Sequence, residues 1–559
     1  MKRDLTALSS QEFDLAIVGG GIYGLACAWD AAQRGLSVAL LERGDFAAAT
    51  SWNSLKTIHG GLRYLQHADF KRMRESIHER TALMRIAPHL VHPLRFVLPA
   101  YGHGLRGREA LAAYLWVSDL IGFDRNRLAD PAHRLPRSCT IGVAECLQLL
   151  PGLPPDQLSG AGIWHDCQLA SSNRLAMALL HSAVQVGAVA ANYLEATGLL
   201  RRGDRVSGVR ARDSLAGREL EVRARLVLNA CGPWVNQMLG WSGSALKVPM
   251  SKAMNLVVRK MFDGFAVGLY GRRAFRDSDA WVAPGRKTYF ITPWRGRSVI
   301  GTTHGPFQGD PNQLAVSEAE IEELLSDINQ AYPPAQLTRA EVCLVQSGLL
   351  PAAERTAPSR PVRLLKHYQL WDHRQRDGLE GLVTVLGVKF TTARHVADRA
   401  IDLVVAKLGR GPIRSRTDRS ALVGGAIEDW TEFVARAGRE RPAGISEEAA
   451  RRLALLYGSE HPKLLKYVAN NPALGEELDE GSSVTRAEVV YGIREEMAQR
   501  LTDVVLRRTE LGAAGYPGDA VVRRCAEWMA AELGWSQIRA ESELAPLWAW
   551  RDSGKSPPP

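Results

Sequence analysis

Residues 19–24 read Gly19-Gly20-Gly21-Ile22-Tyr23-Gly24, a G-x-G-x-x-G spacing, and an acid, Glu42, follows. Residue types at that spacing suit a dinucleotide. Gly19 permits a tight turn, Gly21 lets the backbone approach a pyrophosphate, and Gly24 lets a helix pack closely on a strand. The helix that begins there presents unpaired N–H groups and a positive dipole end to the phosphates. Glu42 is placed to accept hydrogen bonds from a ribose, which favours an adenosine without a 2′-phosphate. Next comes Arg43-Gly44-Asp45-Phe46-Ala47-Ala48-Ala49-Thr50-Ser51, and then Lys56-Thr57-Ile58-His59-Gly60-Gly61. A nicotinamide-binding half would proceed to its next helix and strand. The small-residue loop found here suits an extended flavin dinucleotide, and FAD is the expected cofactor.

The elements that must hold these residues are legible on either side. Phe13-Asp14-Leu15-Ala16-Ile17-Val18 is a short apolar, branched run, as a buried parallel strand would be. Residues 25–34 read as a small-residue helix stopped by Gly35, and Ser37 to Glu42 as a second strand. The chain has 559 residues, more than one hydrophobic core usually supports, so two or three domains are expected. With 46% hydrophobic and 23% charged residues, the composition excludes a disordered, collagen-like or disulfide-stapled chain. Seventy Lys and Arg against sixty Asp and Glu leave a net charge of +10, which suits anionic substrates or an acidic membrane surface. No nucleic-acid-binding motif accompanies that charge, and no nucleic-acid partner is expected. Seven Cys without CxxC spacing imply a reducing compartment and no metal site. No apolar run reaches the roughly 20 residues needed to cross a bilayer, and the N-terminus lacks a signal peptide's apolar middle. A cytoplasmic location is expected.

Later segments complete a motif set. They include Asp166-Cys167-Gln168, Asn229-Ala230-Cys231-Gly232-Pro233-Trp234-Val235, Gly301-Thr302-Thr303, Gly387-Val388-Lys389-Phe390-Thr391-Thr392, and Glu496-Met497-Ala498 with Thr502 to Thr509. Together with Ala48-Ala49-Thr50-Ser51 and Lys56 to Leu65, the chain closely resembles the FAD-dependent (aerobic) glycerol-3-phosphate dehydrogenases along nearly its whole length. That resemblance implies an α/β fold. A Rossmann-like FAD-binding domain of the glutathione-reductase/D-amino-acid-oxidase type would be interleaved with a mixed-sheet substrate domain, and an all-helical C-terminal domain would follow. The expected divisions are 13–95, 161–235 and 346–412 for the FAD-binding domain and 96–160 and 236–345 for the substrate domain. The C-terminal helices are expected over 420–545 and a disordered tail over 546–559.

The implied activity is oxidation of sn-glycerol 3-phosphate to dihydroxyacetone phosphate, with hydride passing to flavin N5 and electrons to membrane quinone. It places the enzyme at the inner face of the membrane. A homodimer is carried as an open expectation. For catalysis the resemblance singles out Arg63, Tyr64 and Lys389; His304 is added as a candidate base because the pKa range of an imidazole suits proton abstraction. For the cofactor the resemblance adds Arg43, His59, Gly60, Gly61, Val189, Gly232, Trp234, Gly348, Gly387, Val388, Lys389, Phe390 and Thr391. Thr50, Ser51 and Lys56 fit pyrophosphate and ribitol contacts, although Ser and Thr there serve equally as helix caps. Substrate contacts are expected from Arg63, Tyr64, Asn255, Leu350 and Lys366.

Four positions depart from the family pattern, one of them His304, where the family's G-T-T-D places an Asp. Leu350 stands where the family's G-x-R-P places a phosphate-gripping Arg, Asn255 where it places a His, and Lys366 near where it places a second Arg. Leu offers no charge, and Lys offers a point charge without the bidentate fork. Arg355, Arg360 and Arg363 are candidate replacements. An alternative follows from Leu350 and Asn255: a related oxidase or tailoring enzyme for a less anionic alcohol or amine, with oxygen as acceptor. Thr485 to Glu488 forms a capping-box pattern ahead of helical periodicity through Arg508, and this Arg-rich helix reads as a packing helix rather than a membrane-surface one.

Overall fold

The computed structural model describes residues 1–104, 107–274, 286–353, 362–478, 483–554 and 556–557. Its first sheet carries the glycine turn. In spatial order the strands are Gln369–Asp372, Leu382–Leu386, Glu219–Asn229, Glu12–Val18, Val38–Leu41 and Val189–Ala191. All are parallel except the antiparallel edge Gln369–Asp372. Glu12–Val18 is buried at every position but its first, which is why it reads as an uninterrupted apolar run. The strands Leu194–Arg202 and Arg205–Asp213 extend the sheet as an antiparallel addition to Glu219–Asn229. Helices Ile22–Gln33, Ser172–Gln185 and Ala393–Lys407 share one apolar core on this sheet, and Trp29 is among its largest buried side chains.

The second sheet runs Val342–Pro351, Met250–Arg259, Arg297–Phe307, Arg286–Trp294, Phe265–Ala274, Val91–Tyr101, Leu158–Leu169 and Thr57–Ile58. One parallel pair, residues 265–267 with 95–97, makes it mixed. Three of the expected divisions therefore move. The cuts at 95 and 160 fall inside Val91–Tyr101 and Leu158–Leu169, and residues 346–351 complete a strand of the second sheet rather than the first. Long strands bridging toward the glycine-turn domain mislead a reading based on turn residues.

The C-terminal helices also differ from expectation in two places. The helix capped by the Thr485 box spans Arg486–Glu496 and stops at Met497, whose φ of +58° is left-handed; a short turn and a π-helical segment, Val504–Arg508, follow. The stretch expected as a disordered tail from 546 continues the helix Gln537–Ser553, with Trp550 buried, and Ser556 reaches the Ser347 hydroxyl at 3.1 Å. Leu544, Leu547 and Trp550 recur at helical spacing and bury one face, which holds the segment despite Pro546.

One ion network joins these parts. Asp45, on the loop after Glu42, is buried and accepts both Arg508 Nη groups at 2.7 Å and Arg507 Nε at 2.7 Å. Asn192 donates to it at 3.0 Å. Arg507 also donates to Asp503 at 2.9 Å, and the Tyr193 hydroxyl donates to Asp503 at 2.5 Å. Both arginines of the C-terminal segment are thus spent inside the protein, so this segment packs and presents no cationic face outward. Burial alone would raise the Asp45 pKa; the Arg508 and Arg507 charges outweigh it and hold it at about 2. Because the folded value lies below the ordinary 3.8, this stabilisation is present above pH ~4 and fades as pH falls toward 2. Asp45→Asn strands two buried guanidinium groups and should cost about 3–5 kcal/mol, read as a lower urea midpoint; an unchanged midpoint would contradict the assigned role.

Candidate functional site

The glycine turn leaves no room for side chains. A Cβ on Gly19 (φ +108°) would sit 2.4 Å from the Ala230 carbonyl oxygen, and one on Gly24 would sit 1.8 Å from the Gly19 carbonyl oxygen. The helix Ile22–Gln33 starts at Gly21 without a side-chain cap from that residue. Ser51 Oγ accepts the Ile22 N–H at 2.9 Å, so its hydroxyl serves the capping role. Glu42 accepts the Gly20 and Gly44 N–H groups at 2.7 and 2.8 Å, and burial raises its pKa despite those bonds. Beyond it, the Arg43 guanidinium lies 4.9 Å from the centre of the Trp234 ring and 3.5 Å from Glu195. Gly232 and Trp234 form the 3-10 turn that follows Asn229, beside Ala230.

The His-Gly-Gly turn is held from below by a buried ion pair. Asp166 accepts the Gly60 N–H at 2.6 Å and the Trp164 indole N–H at 3.0 Å, and it pairs with Arg80. A Cβ on Gly60 would stand 2.6 Å from Arg80 Nη1. The 3-10 helix Leu62–His67 then presents exposed Arg63 and half-buried Tyr64. Two cations from distant segments converge on Tyr64: Arg72 and Lys389 each lie 4.1 Å from its ring centroid. Burial raises the Tyr64 pKa to about 12, so the phenol stays protonated. Lys389 is set by a backbone clamp: the Tyr23 hydroxyl donates to its carbonyl at 2.8 Å and accepts its N–H at 3.1 Å. Gly387 abuts the same phenol, where a Cβ would sit 2.2 Å from its oxygen. Burial, then repulsion from Arg72, lowers the Lys389 pKa to about 7, against partial support from Glu75 and Asp69. His59 packs edge-on to Tyr64 at 6.0 Å and takes an N–H bond of 3.4 Å to Thr391; burial holds its ring uncharged, with a pKa of about 4.

The second sheet supplies the facing wall. Thr50 Oγ1 donates to the Leu349 carbonyl at 3.0 Å and accepts the Leu349 N–H at 3.1 Å, and Gly348 packs on Thr50. Alternation puts Gln346, Gly348 and Leu350 on one face of their strand, and the register pairs them with Asn255, Ala253 and Ser251. Asn255 is buried, accepts the Thr302 hydroxyl at 2.8 Å and donates to the Asn53 carbonyl at 3.4 Å. His304 pairs in register with Ala253. Burial, then Lys287 and Arg63, lowers the His304 pKa to about 4; because its ring remains reachable by solvent, the neighbouring cations are the better cause of that direction.

A family model described as FAD dependent oxidoreductase matches residues 14–403, and one described as the C-terminal domain of alpha-glycerophosphate oxidase matches residues 415–540. The chain belongs to the FAD-dependent oxidoreductase family. It is 30% identical over 97% of both chains to a glycerol-3-phosphate dehydrogenase of a Synechocystis strain. It is 32% identical to a mitochondrial glycerol-3-phosphate dehydrogenase of Mesocricetus auratus, over 97% of this chain and 73% of the relative. In fold it is similar to the X-ray structure of a glycerol-3-phosphate dehydrogenase from Bacillus halodurans complexed with FAD. There the TM-score is 0.74 at 24% identity, over 98% of this chain and 95% of that one.

The residues present fit the family cofactor. A Cβ at Gly19 or Gly24 would strike backbone, which fixes the tight path a pyrophosphate-binding loop needs, and Glu42 follows the second strand at the position where a ribose contact is expected. Asn53 Oδ1, Ser54 Oγ and Gln346 Oε1 are buried and make no hydrogen bond among the described residues, so they are polar atoms that a bound flavin could satisfy. Some expected contacts move. Lys56 is turned into the protein: its ammonium bonds the Trp52 carbonyl and the Ser172 hydroxyl (2.8 Å) between the Trp52 and Trp294 rings, so it does not serve the pyrophosphate. Val189 pairs with Ala39, three residues short of Glu42; the backbone beside Glu42 and Gly44 belongs to Ala191, Tyr193 and Leu194. Thr50 spends its hydroxyl on Leu349. Lys366 is exposed, beside His367, which approaches Asp69 at 3.4 Å. Arg355 and Arg360 lie outside the described residues, and Arg363 is exposed. Val388, Phe390 and Thr391 share the Lys389 turn, with Thr391 buried. The Tyr23 clamp and the Arg80–Asp166 pair were not anticipated; Tyr23 stood inside the glycine motif, where the x positions carry no generic meaning.

Gly24→Ala should yield folded protein, by circular dichroism, that purifies without flavin absorbance and takes up FAD at least about tenfold more weakly. Normal flavin content in this variant would refute the cradle.

Proposed function

We propose that this chain is an FAD-dependent dehydrogenase that oxidises sn-glycerol 3-phosphate, or a closely related polyol phosphate, to the ketone. Its electrons pass to quinone at the cytoplasmic face of the membrane. The observation that carries this reading is the convergence of Arg63, Arg72 and Lys389 around Tyr64, beside a dinucleotide cradle. A small dianionic substrate needs such a cluster, and near full-length similarity to two glycerol-3-phosphate dehydrogenases agrees with it.

The chemistry that FAD supplies when bound is acceptance of a hydride from the carbinol carbon. This chain's residues do the rest. Arg63 and protonated Lys389 hold the phosphate in place of the Arg that Leu350 replaces. Tyr64 remains a phenol able to donate a hydrogen bond to substrate oxygen. His304, uncharged at neutral pH, has a ring nitrogen able to take the hydroxyl proton. The Asp166–Arg80 pair fixes the turn that carries Arg63 and Tyr64.

Anaerobic mixing of the FAD-loaded protein with glycerol 3-phosphate should bleach the flavin band rapidly, and persistent yellow at millimolar substrate would end this reading. A pH dependence follows from Lys389. Its pKa near 7 means that the cation is present below neutrality and lost above it, so KM for an anionic substrate should rise between pH 6 and 8. Lys389→Met should raise KM at pH 6 about tenfold or more and flatten that rise.

A second reading is favoured by one feature. Leu350 places an apolar side chain on the same strand face as Gly348, opposite Ser251, at the position where the family pattern carries a phosphate-gripping Arg. It is an oxidase for a less anionic alcohol or amine. Stoichiometric hydrogen peroxide from a non-phosphorylated substrate, without quinone, would select it.

A further inference from the structure

Lys389 is held in place by its backbone rather than by its charge. Among the described residues its ammonium pairs directly with no carboxylate; it lies 4.1 Å from the centre of the Tyr64 ring. Burial and the nearby Arg72 oppose its charge, and Glu75 and Asp69 support it only from a distance. A lysine stem is long and flexible, and a cation beside a like charge gains by swinging away into water. Another group must therefore aim it. The Tyr23 hydroxyl touches both peptide groups that flank the Lys389 Cα: it accepts the Lys389 N–H at 3.1 Å and donates to the Lys389 carbonyl at 2.8 Å. Peptide groups are planar, so holding the two that meet at one Cα fixes the direction in which its side chain leaves the chain.

The surroundings of Tyr23 suit that task. Burial raises the pKa of its phenol, so the hydroxyl keeps the proton it donates. Gly387 makes room for the ring: a Cβ there would lie 2.2 Å from the phenol oxygen and 2.2 Å from the carbon that bears it. A phenylalanine would fill the same space, so packing alone does not call for the hydroxyl. Tyr23 is also the second residue of the helix Ile22–Gln33, whose first turn offers N–H groups to a pyrophosphate, and Ser51 accepts the N–H of Ile22 immediately before it. From the other side, the His59 N–H donates to Thr391 Oγ1 at 3.4 Å. The Lys389 turn is thus stitched to the glycine turn through Tyr23 and to the His-Gly-Gly turn through Thr391.

We infer that Tyr23 is a positioning residue: its hydroxyl aims Lys389 at the Tyr64 ring and ties the cation that grips substrate to the first turn of the dinucleotide helix. That the gripped group is a substrate phosphate rests on the reading above; the clamp itself does not. Without the hydroxyl, the Lys389 turn loses both anchors and the ammonium leaves Arg72 for water. Its pKa then climbs from about 7 toward the ordinary 10.5. Affinity for an anion falls, because the cation no longer stands where the anion arrives.

The test follows Lys389 directly in the FAD-loaded protein, by NMR after reductive methylation of its lysines with isotope-labelled formaldehyde. The Lys389 signal is the one that Lys389→Met removes. It should titrate near pH 7 in wild type and above about pH 8 in Tyr23→Phe, with flavin content unchanged. A residue that merely packs would lower the urea midpoint and leave this titration where it was. In unmodified protein at pH 6, Tyr23→Phe should raise KM for glycerol 3-phosphate about tenfold and keep kcat within about twofold. The same substitution should add nothing to Lys389→Met, because it acts through that lysine. Gly387→Ala, whose methyl group would displace the phenol, should reproduce both effects and replaces Tyr23→Phe if that variant fails to fold. The inference is overturned if Lys389 titrates alike with and without the hydroxyl, or if Tyr23→Phe raises KM as much in the Lys389→Met background as in wild type. A moved titration in a protein whose flavin glycerol 3-phosphate does not reduce would leave the clamp standing and remove the substrate assignment. An unmoved titration in a protein whose flavin it does reduce would do the reverse.

Discussion

Asp45 is the constraint on which the rest of the molecule depends. It sits three residues past Glu42, is buried, and is neutralised by two arginines more than 450 residues away in sequence. A buried carboxylate without partners is untenable. The loop along which the dinucleotide would lie therefore takes this shape only when the C-terminal helices are docked. Arg174 with Glu496, in bidentate contact at 2.7 and 2.8 Å, repeats the arrangement from the next helix. The helical domain in this sense holds the shape of the loop that follows Glu42.

Given that frame, the site forms where two sheets face each other. The first offers main-chain N–H groups and a helix end; the second offers a wall of alternating side chains. Around Tyr64 between them gather cations from separate segments whose own repulsion keeps them responsive: Lys389 is near its titration point because burial and Arg72 oppose its charge. A cluster of this kind holds unused capacity for an anion, whose arrival relieves the repulsion.

Much of this was legible in the residues, and the failures have physical causes. The glycine turn, Glu42 and the first two strands were readable because sterics leave few alternatives at Gly19 and Gly24. The capping box at Thr485 was readable because it is equally local. What escaped depended on tertiary neighbours. Lys56 looks like a phosphate ligand until its left-handed backbone and the Ser172 hydroxyl turn it inward. Val189 has the right type for the adenine edge but the wrong register. Periodicity carried one helix through Arg508, while the structure breaks it at Met497 so that Glu496 and Arg508 can both reach buried partners.

The bond pair between Thr50 and Leu349 has a consequence for how this scaffold diversifies. It fastens the wall strand to the cofactor loop through the strand's own amide and carbonyl, and asks nothing of the side chain at 350. That position can be exchanged, one charge for one hydrocarbon, without loosening the loop beneath. A lineage built on this seam retunes what it oxidises while keeping its redox group in register, and Leu350 has the character of one such exchange.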